Sequence, residues 1–243
     1  MKTLAFASRN TKEILRDPLN LAFGIGFPLA ILFLLSIIQS NVPVSLFEIE
    51  NLVPGIAVFG LSFISLFSGI LIAKDRSTSF LMRLFSSPLT GANFILGYTL
   101  PLLPVAIVQS VICFIAAFFL GLQVSVNLLM VFVVLIPASI LFIAIGLLAG
   151  SLLNDKQVGG ICGALLTNLS AWLSGTWFDL NLVGGVFKQV AYALPFVHAV
   201  EASRAALVGN YAGIFPHIWW VIGYATVLLF LAIWAFNKKM KGE

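Results

Sequence analysis

From Leu84 to Asn154 the chain holds no aspartate, glutamate, lysine, arginine or histidine. No water-facing surface can be drawn from such a stretch, and a helix needs about 20 successive apolar residues to cross a bilayer. The rest of the chain is little different: 9% of the 243 residues are charged and 60% are hydrophobic, against about 25% charged in a typical soluble domain. The chain is therefore expected to be an integral membrane protein, which excludes a soluble enzyme, a disordered chain and a disulfide scaffold. Cys113 and Cys162 both lie in apolar stretches and read as small core residues. Two cysteines build neither a disulfide framework nor a zinc site.

Six apolar stretches are long enough to span: 19–39, 53–73, 94–119, 126–150, 158–176 and 217–237. The runs are continuous rather than alternating, so a β-barrel is excluded. The first is too long for a cleaved signal peptide, and no small-residue cleavage site follows it. Lysine and arginine placement sets the orientation. Four lie in the N-terminal segment, three between spans two and three, one between spans four and five, and three at the C-terminus, while only Lys188 and Arg204 fall on the opposite side. Both termini are expected to be cytoplasmic. The net charge of +4 is thus a topology signal, not a nucleic-acid footprint.

The spans offer no mid-membrane carboxylate, lysine or histidine, the groups with which ion-coupled carriers bind a proton or sodium ion. Pro28, Pro101, Pro104 and Pro137 can kink helices, but no broken-helix pattern repeats between the halves. The only histidines, His198 and His217, fall on the outer side near segment ends and read as interfacial polar residues rather than bases. There is no metal-ligand spacing and no GxxxxGK[ST] phosphate loop. No cofactor is expected on this chain. If it moves cargo uphill, the energy comes from another polypeptide.

Three segments outside the spans are patterned. At about 100° per residue, Lys2, Arg9, Lys12, Glu13 and Arg16 share one face of a helix over 2–16, and Leu4, Ala7, Thr11, Ile14 and Leu15 the other. Such a helix lies in the headgroup region, and Pro18 turns the chain into span one. Over 75–87, Asp75, Arg76, Ser79, Arg83, Ser86 and Ser87 form a polar arc opposite Phe80, Leu81, Met82, Leu84 and Phe85, and Pro88 stops the helix. That face must bury itself in membrane surface, in the protein or in a soluble partner. The outer segment 177–216 holds two short helical patterns, near Val186–Leu194 and from Pro195 to Gly209-Asn210, with Glu201 and Arg204 spaced to pair. Trp172, Trp177, Phe178, Trp219 and Trp220 sit where an outer aromatic belt belongs. Ser62, Ser65 and Ser68 in span two, and Gly159, Gly163 and Thr167 in span five, make small-residue faces for close helix contact. Asn168, inside span five, calls for a neighbouring helix or a wet cavity.

In order and spacing these features resemble the ABC-2 family of ABC-transporter permeases over nearly the whole chain. Leu15-Arg16-Asp17-Pro18 before a span containing Pro28 is similar to the family's "lRdP…P". Arg76 to Pro88 is similar to its "RExGTLERLLxTP": Arg83, Leu84 and Pro88 match, whereas the family's glutamates fall on Ser77 and Met82 and its glycine on Ser79. Leu173-Ser174-Gly175, Leu194-Pro195 and Ala199-Val200-Glu201-Ala202-Ser203-Arg204 are similar to its "lsG…lP…aveAlR".

The resemblance implies a single all-α membrane domain over 1–243, with six transmembrane helices, an interfacial helix over 1–17, a cytoplasmic coupling helix over 75–88 and outer re-entrant helices over 177–216. It implies an exporter permease subunit in the plasma or inner membrane of a bacterial-type cell, paired with a second permease copy and separate ABC ATPase subunits that hold ATP and magnesium. The coupling residues would be Arg76, Phe80, Leu81, Arg83, Leu84, Phe85 and Pro88. Spans two and five face the dimer axis in the family, making Phe59, Phe63, Phe67, Asn168 and Trp172 pathway candidates. An aromatic, uncharged interior suits a drug, antibiotic or lipid-like cargo. A lipid-linked polysaccharide within the family, an ion-coupled carrier or channel outside it, and an assembly factor without transport are the alternatives. Membrane lipid is the other expected partner; nucleic acid is not.

Overall fold

The computed structural model describes residues 2–42, 44–78 and 90–240, and every regular element among them is helical. α1 is Lys2–Leu15. Asp17 caps α2 (Pro18–Asn41), accepting from the Asn20 backbone N–H at 3.2 Å, with Pro18 in the first turn, where its missing N–H costs nothing. α3 is Ile49–Ser77, α4 Gly91–Phe119 and α5 Asn127–Leu152. α6 is assembled from Asp155–Val158, a π-helical Gly159–Leu166 and Thr167–Leu173. α7 (Leu180–Val183), α8 (Gly185–Ala193) and α9 (Pro195–Leu207) make up the segment expected on the outer side, and α10 is Tyr211–Met240.

Five helices, α2, α3, α4, α5 and α10, are long and apolar enough to cross a membrane. The stretch 158–176, expected as another span, is the composite α6. Gly159, Gly160 and Gly163 are poor α-formers, and the segment adopts the looser π form. Its start is firm: Asn154 and Gln157 make a reciprocal capping box, with bonds of 2.9 and 3.1 Å.

α3 is the hub. It packs against α2, α4, α5, α6 and α9, and 78% of its most apolar stretch is buried in protein, against 22% in α2 and in α10. The outer faces of α2 and α10, with Phe23, Phe33, Ile37, Trp219, Phe230 and Trp234 exposed, are tolerable only in hydrocarbon. Cys113 and Cys162 are free and buried, as expected of core residues.

The tightest seam joins α3 to α5. Ser68 Oγ donates to the Ser65 carbonyl at 2.9 Å on its own helix and to the Ile143 carbonyl of α5 at 3.2 Å. A Cβ at Gly146 would overlap Ser68 Oγ and the Ser65 carbonyl, and one at Gly150 would lie 2.9 Å from Gly69 Cα. Backbones this close gain dispersion contact that the membrane cannot replace by a hydrophobic drive. The serine stripe expected in span two therefore meets a Gly146-x-x-x-Gly150 face. The stripe expected over Gly159, Gly163 and Thr167 is looser: a Cβ at Gly159 would meet nothing, and one at Gly163 only the Leu66 side chain at 3.3 Å.

Candidate functional site

The end of α3 is a charged joint between three helices. Asp75 is 5% exposed. Its Oδ1 accepts from Arg9 Nη2 of α1 at 2.9 Å, and its Oδ2 accepts from Arg9 Nη1 and from the Tyr98 hydroxyl of α4, the latter at 2.9 Å. The bidentate fork suits guanidinium on carboxylate. Burial works against the Arg9 cation, yet the hydrogen bond and charge of Asp75 outweigh it and hold its pKa above the ordinary value. Arg9 Nη1 also donates to Asn10 Oδ1 at 2.9 Å, and Asn10 Nδ2 to the Gly97 carbonyl of α4 at 3.0 Å. Phe6 closes edge-on over Phe94 and Tyr98, with centroids 5.4 and 5.0 Å apart. It fits because Gly97 has no side chain; a Cβ there would come within 3.1 Å of Phe6 Cε1.

α1 is therefore not a simple two-faced surface helix. Phe6 and Asn10 are buried against α4, while Leu4 and Leu15, two of the residues expected to anchor the apolar face, are 66% and 64% exposed. Packing selected a third face at which the buried amide of Asn10 finds a partner for both its oxygen and its nitrogen, a choice invisible to apolar periodicity.

Asp75 and Arg76, read from sequence as the start of a coupling helix over 75–88, belong to the last turn of α3, which runs to Ser77. Arg76 Nη1 donates to the carbonyls of Gly150 at 2.6 Å and Leu153 at 3.1 Å. It thus caps the end of α5, whose last carbonyls have no intrahelical partner. The other proposed coupling residues, Phe80, Leu81, Arg83, Leu84, Phe85 and Pro88, lie outside the described residues.

Higher on α3 the pathway candidates divide. Phe59 and Phe63 meet edge-on at 5.9 Å, Phe27 of α2 adds rings 6.3 and 5.4 Å away, and Trp177 packs on Phe59 at 5.7 Å. Trp177 Nε1 is buried without an acceptor among the described residues. Phe67 sits apart over Gly24, where a Cβ would lie 2.5 Å from its ring. Asn168 and Trp172 occupy the exposed face of α6, and Asn168 Nδ2 turns back to the Ala164 carbonyl of its own helix at 2.8 Å. Neither joins the phenylalanine cluster.

In the outer segment Arg204 Nη1 meets Glu201 Oε1 at 2.9 Å, the pairing expected from sequence. The same guanidinium donates to the carbonyls of Asn51 at 3.0 Å and Gly175 at 3.1 Å, so it clips α9 to the start of α3 and to the turn after α6. Gly175 has φ +70, a conformation natural only to glycine. His198 and His217 meet each other. Their Nδ1 atoms are 2.8 Å apart, His198 Nε2 faces the Tyr192 carbonyl at 2.9 Å, and Trp220 stacks on His198 at 5.0 Å. Because a carbonyl only accepts, His198 carries its proton on Nε2 and receives one from His217 Nδ1–H.

Sequence reading missed Arg9–Asp75–Tyr98, the Gly146/Gly150 face and the histidine pair. Only the second had a local signal, the G-x-x-x-G spacing within an apolar run; the others join residues 66 and 19 positions apart. Among the described residues no three potential metal ligands converge.

The ABC-2 type transporter family matches residues 1–208. Over 202 residues the chain is 25% identical to a Dictyostelium discoideum protein described as ABC transporter G family member 20, covering 79% of this chain and 27% of that relative. The chain thus spans about a quarter of the relative's length. A match that runs from α1 through the α3 joint to the Glu201–Arg204 clasp, on a framework of helices long enough to cross a bilayer, makes this multi-pass membrane protein a member of the ABC-2 type transporter family.

Proposed function

We propose that the chain is one half of the transmembrane pathway of an ATP-driven exporter for amphipathic or lipophilic cargo. It works with a second permease chain and with separate ATPase subunits that hold ATP and magnesium. α6 serves as a sixth, shorter span, the termini are cytoplasmic, and residues 75–88 receive the ATPase. The observation that carries the reading is the Phe27–Phe59–Phe63–Trp177 cluster at the uncharged middle stretch of α3. Rings and an indole N–H with no acceptor among the described residues attract apolar surface carrying an occasional acceptor, and supply no carboxylate or imidazole for a metal ion.

The charged joint supplies a mechanical route. A push on the segment after Ser77 is passed to α3 through the chain itself. Arg9 on Asp75 ties α1 and α4 to that end, and Arg76 on the Gly150 and Leu153 carbonyls ties α5. Four helices then tilt together. Transport follows only if the ATP-bound and ATP-free states present the aromatic cluster differently, because a cargo with equal affinity for both shifts neither.

Co-reconstitution in vesicles with the cognate ATPase tests this. ATP-dependent efflux of a lipophilic cation, lost in Arg83→Glu and reduced in Phe80→Ala while both variants still insert, is the expected result. Flux that follows an ion gradient without ATP overturns the mechanism, and unchanged assembly and ATP turnover in both variants overturns the coupling role.

A further inference from the structure

A cavity of about 200 Å³ lies where the end of α1, the start of α2 and the end of α3 meet. Phe67, Ile70 and Leu71 give it an apolar floor, and Glu13, Arg16, Asp17 and Lys74 a charged rim. Asp75 borders it but is already engaged by Arg9 and Tyr98. Among the described residues neither Arg16 nor Lys74 has a carboxylate within ion-pairing distance. Asp17 accepts only from the neutral Asn20, at the backbone and at Nδ2, and Glu13 reaches no closer than 3.9 Å to Arg9.

The depth of this cavity is set by the helices that frame it. Arg16 and Asp17 immediately precede the apolar run of α2, and Lys74 immediately follows that of α3. The rim therefore stands at headgroup level and the floor faces the first methylenes of the leaflet. The rim is balanced, with two cations and two carboxylates. An anionic headgroup would satisfy Arg16 and Lys74 but meet repulsion from Glu13 and Asp17, and a simple cation would face the converse. A group that joins a phosphate to a primary ammonium answers both, with three N–H donors for carboxylates that accept only.

We infer that this cavity binds the phosphoethanolamine head of a zwitterionic phospholipid, the phosphate at Arg16 and Lys74, the ammonium at Glu13 and Asp17, and an acyl chain over Phe67 and Ile70. The lipid occupies the corner between α1, α2 and α3 and so braces the joint at Asp75 from its open side. A choline head has the same charges but no N–H, and a glycerol head has no cation, so both bind more weakly.

Native mass spectrometry of the full chain with equimolar phosphatidylethanolamine, phosphatidylcholine and phosphatidylglycerol tests the assignment. The ethanolamine lipid should be retained about tenfold over the other two, the worth of one added charge-assisted hydrogen bond. Lys74→Ala should lower the retention of all three lipids, since each carries the phosphate, and Glu13→Gln with Asp17→Asn should bring the ethanolamine and glycerol lipids level. Asparagine still caps α2 and Glu13 is exposed, so neither change unfolds the protein; Lys188→Ala on the outer segment is the unaffected control. Equal retention of all three lipids, preference for the glycerol lipid, overall retention indifferent to Lys74, or a preference indifferent to Glu13 and Asp17 overturns the proposal. So does loss of the ethanolamine preference once the ATPase is bound, which would make the rim a protein contact.

Discussion

Replacing Arg9 by alanine probes the joint where α1 holds α3. Asp75, 5% exposed, would keep the Tyr98 hydroxyl and lose both guanidinium donors. Stranding one member of a fully buried pair costs about 3–5 kcal/mol. The Arg9 side chain is 33% exposed, so water enters where it stood and screens part of that cost; the expected loss is about 2 kcal/mol. Asp75→Asn should cost less, about 1 kcal/mol, because the amide still accepts from Tyr98 and the stranded group is the partly hydrated cation. The double variant should be about 1 kcal/mol more stable than the summed single losses. Unfolding of the full chain in bicelles titrated with dodecyl sulfate, at fixed pH and lipid, reads all three. Lys12→Ala, an exposed cation on the same helix, serves as reference and should fall within about 0.5 kcal/mol of wild type. An Arg9→Ala loss inside that band, or no coupling in the double variant, would mean that the ion pair does not hold the helices and that α1 is not part of the joint.

Gly146→Ala places a methyl against Ser68 Oγ and the Ser65 backbone, with the Ser65 carbonyl carbon 2.8 Å away; overpacking of about 1–3 kcal/mol should appear in the same titration, whereas Gly26→Ala, where a Cβ meets nothing, should be silent. Arg204→Met orphans the Asn51 and Gly175 carbonyls and should destabilise by about 2–3 kcal/mol, while Glu201→Gln, a 34% exposed partner, should cost under about 1 kcal/mol; the reverse order would make the ion pair, not the backbone clip, the working contact. Burial, with help from the neighbouring His217, pushes the His198 imidazolium below its ordinary 6.5. The unfolded chain then binds more protons than the folded one as pH drops below 6.5, so stability is full above that value and is lost as pH falls from it through the depressed folded value. The protection of α9 amides, corrected for the intrinsic exchange rate at each pH, should fall as pH drops below about 6.5, and His198→Phe should reduce that fall.

How far the molecule could be read from its sequence varies by element. The helices α2, α3, α4, α5 and α10 announce themselves, because a span is a local property: enough successive apolar residues have nowhere else to go. The outer helices α8 and α9 were legible for a related reason, since Gly184, Pro195 and Gly209 mark where a helix can begin or stop, and Gly184 and Gly209 do take φ +62 and +75. α6 was harder, because glycines that weaken an α-helix do not reveal which looser form replaces it. The site divides the same way. Glu201 and Arg204 sit three residues apart on one helix and were predictable; Phe59 and Phe63, one turn apart, do touch each other, but their partners Phe27 and Trp177 come from elsewhere. Arg76 was legible as a coupling residue between spans two and three and not as the cap of α5, whose Gly150 carbonyl lies 74 positions later.

Local chemistry alone thus determined that this is a membrane protein built of helices, roughly where they begin and end, and that its spans carry no charge. Hydrophobicity and turn propensity act within a few residues, and the bilayer enforces them regardless of what lies alongside. Tertiary structure alone decided which helix faces meet, and hence that Asp75 is shared by α1 and α4, that Gly146 admits Ser68, and that His198 finds His217. Such pairings depend on the mutual fit of surfaces far apart in the chain. In a sequence this uniformly apolar, many faces are equally greasy, and only close packing and the demand that each buried polar group find a partner single out one arrangement.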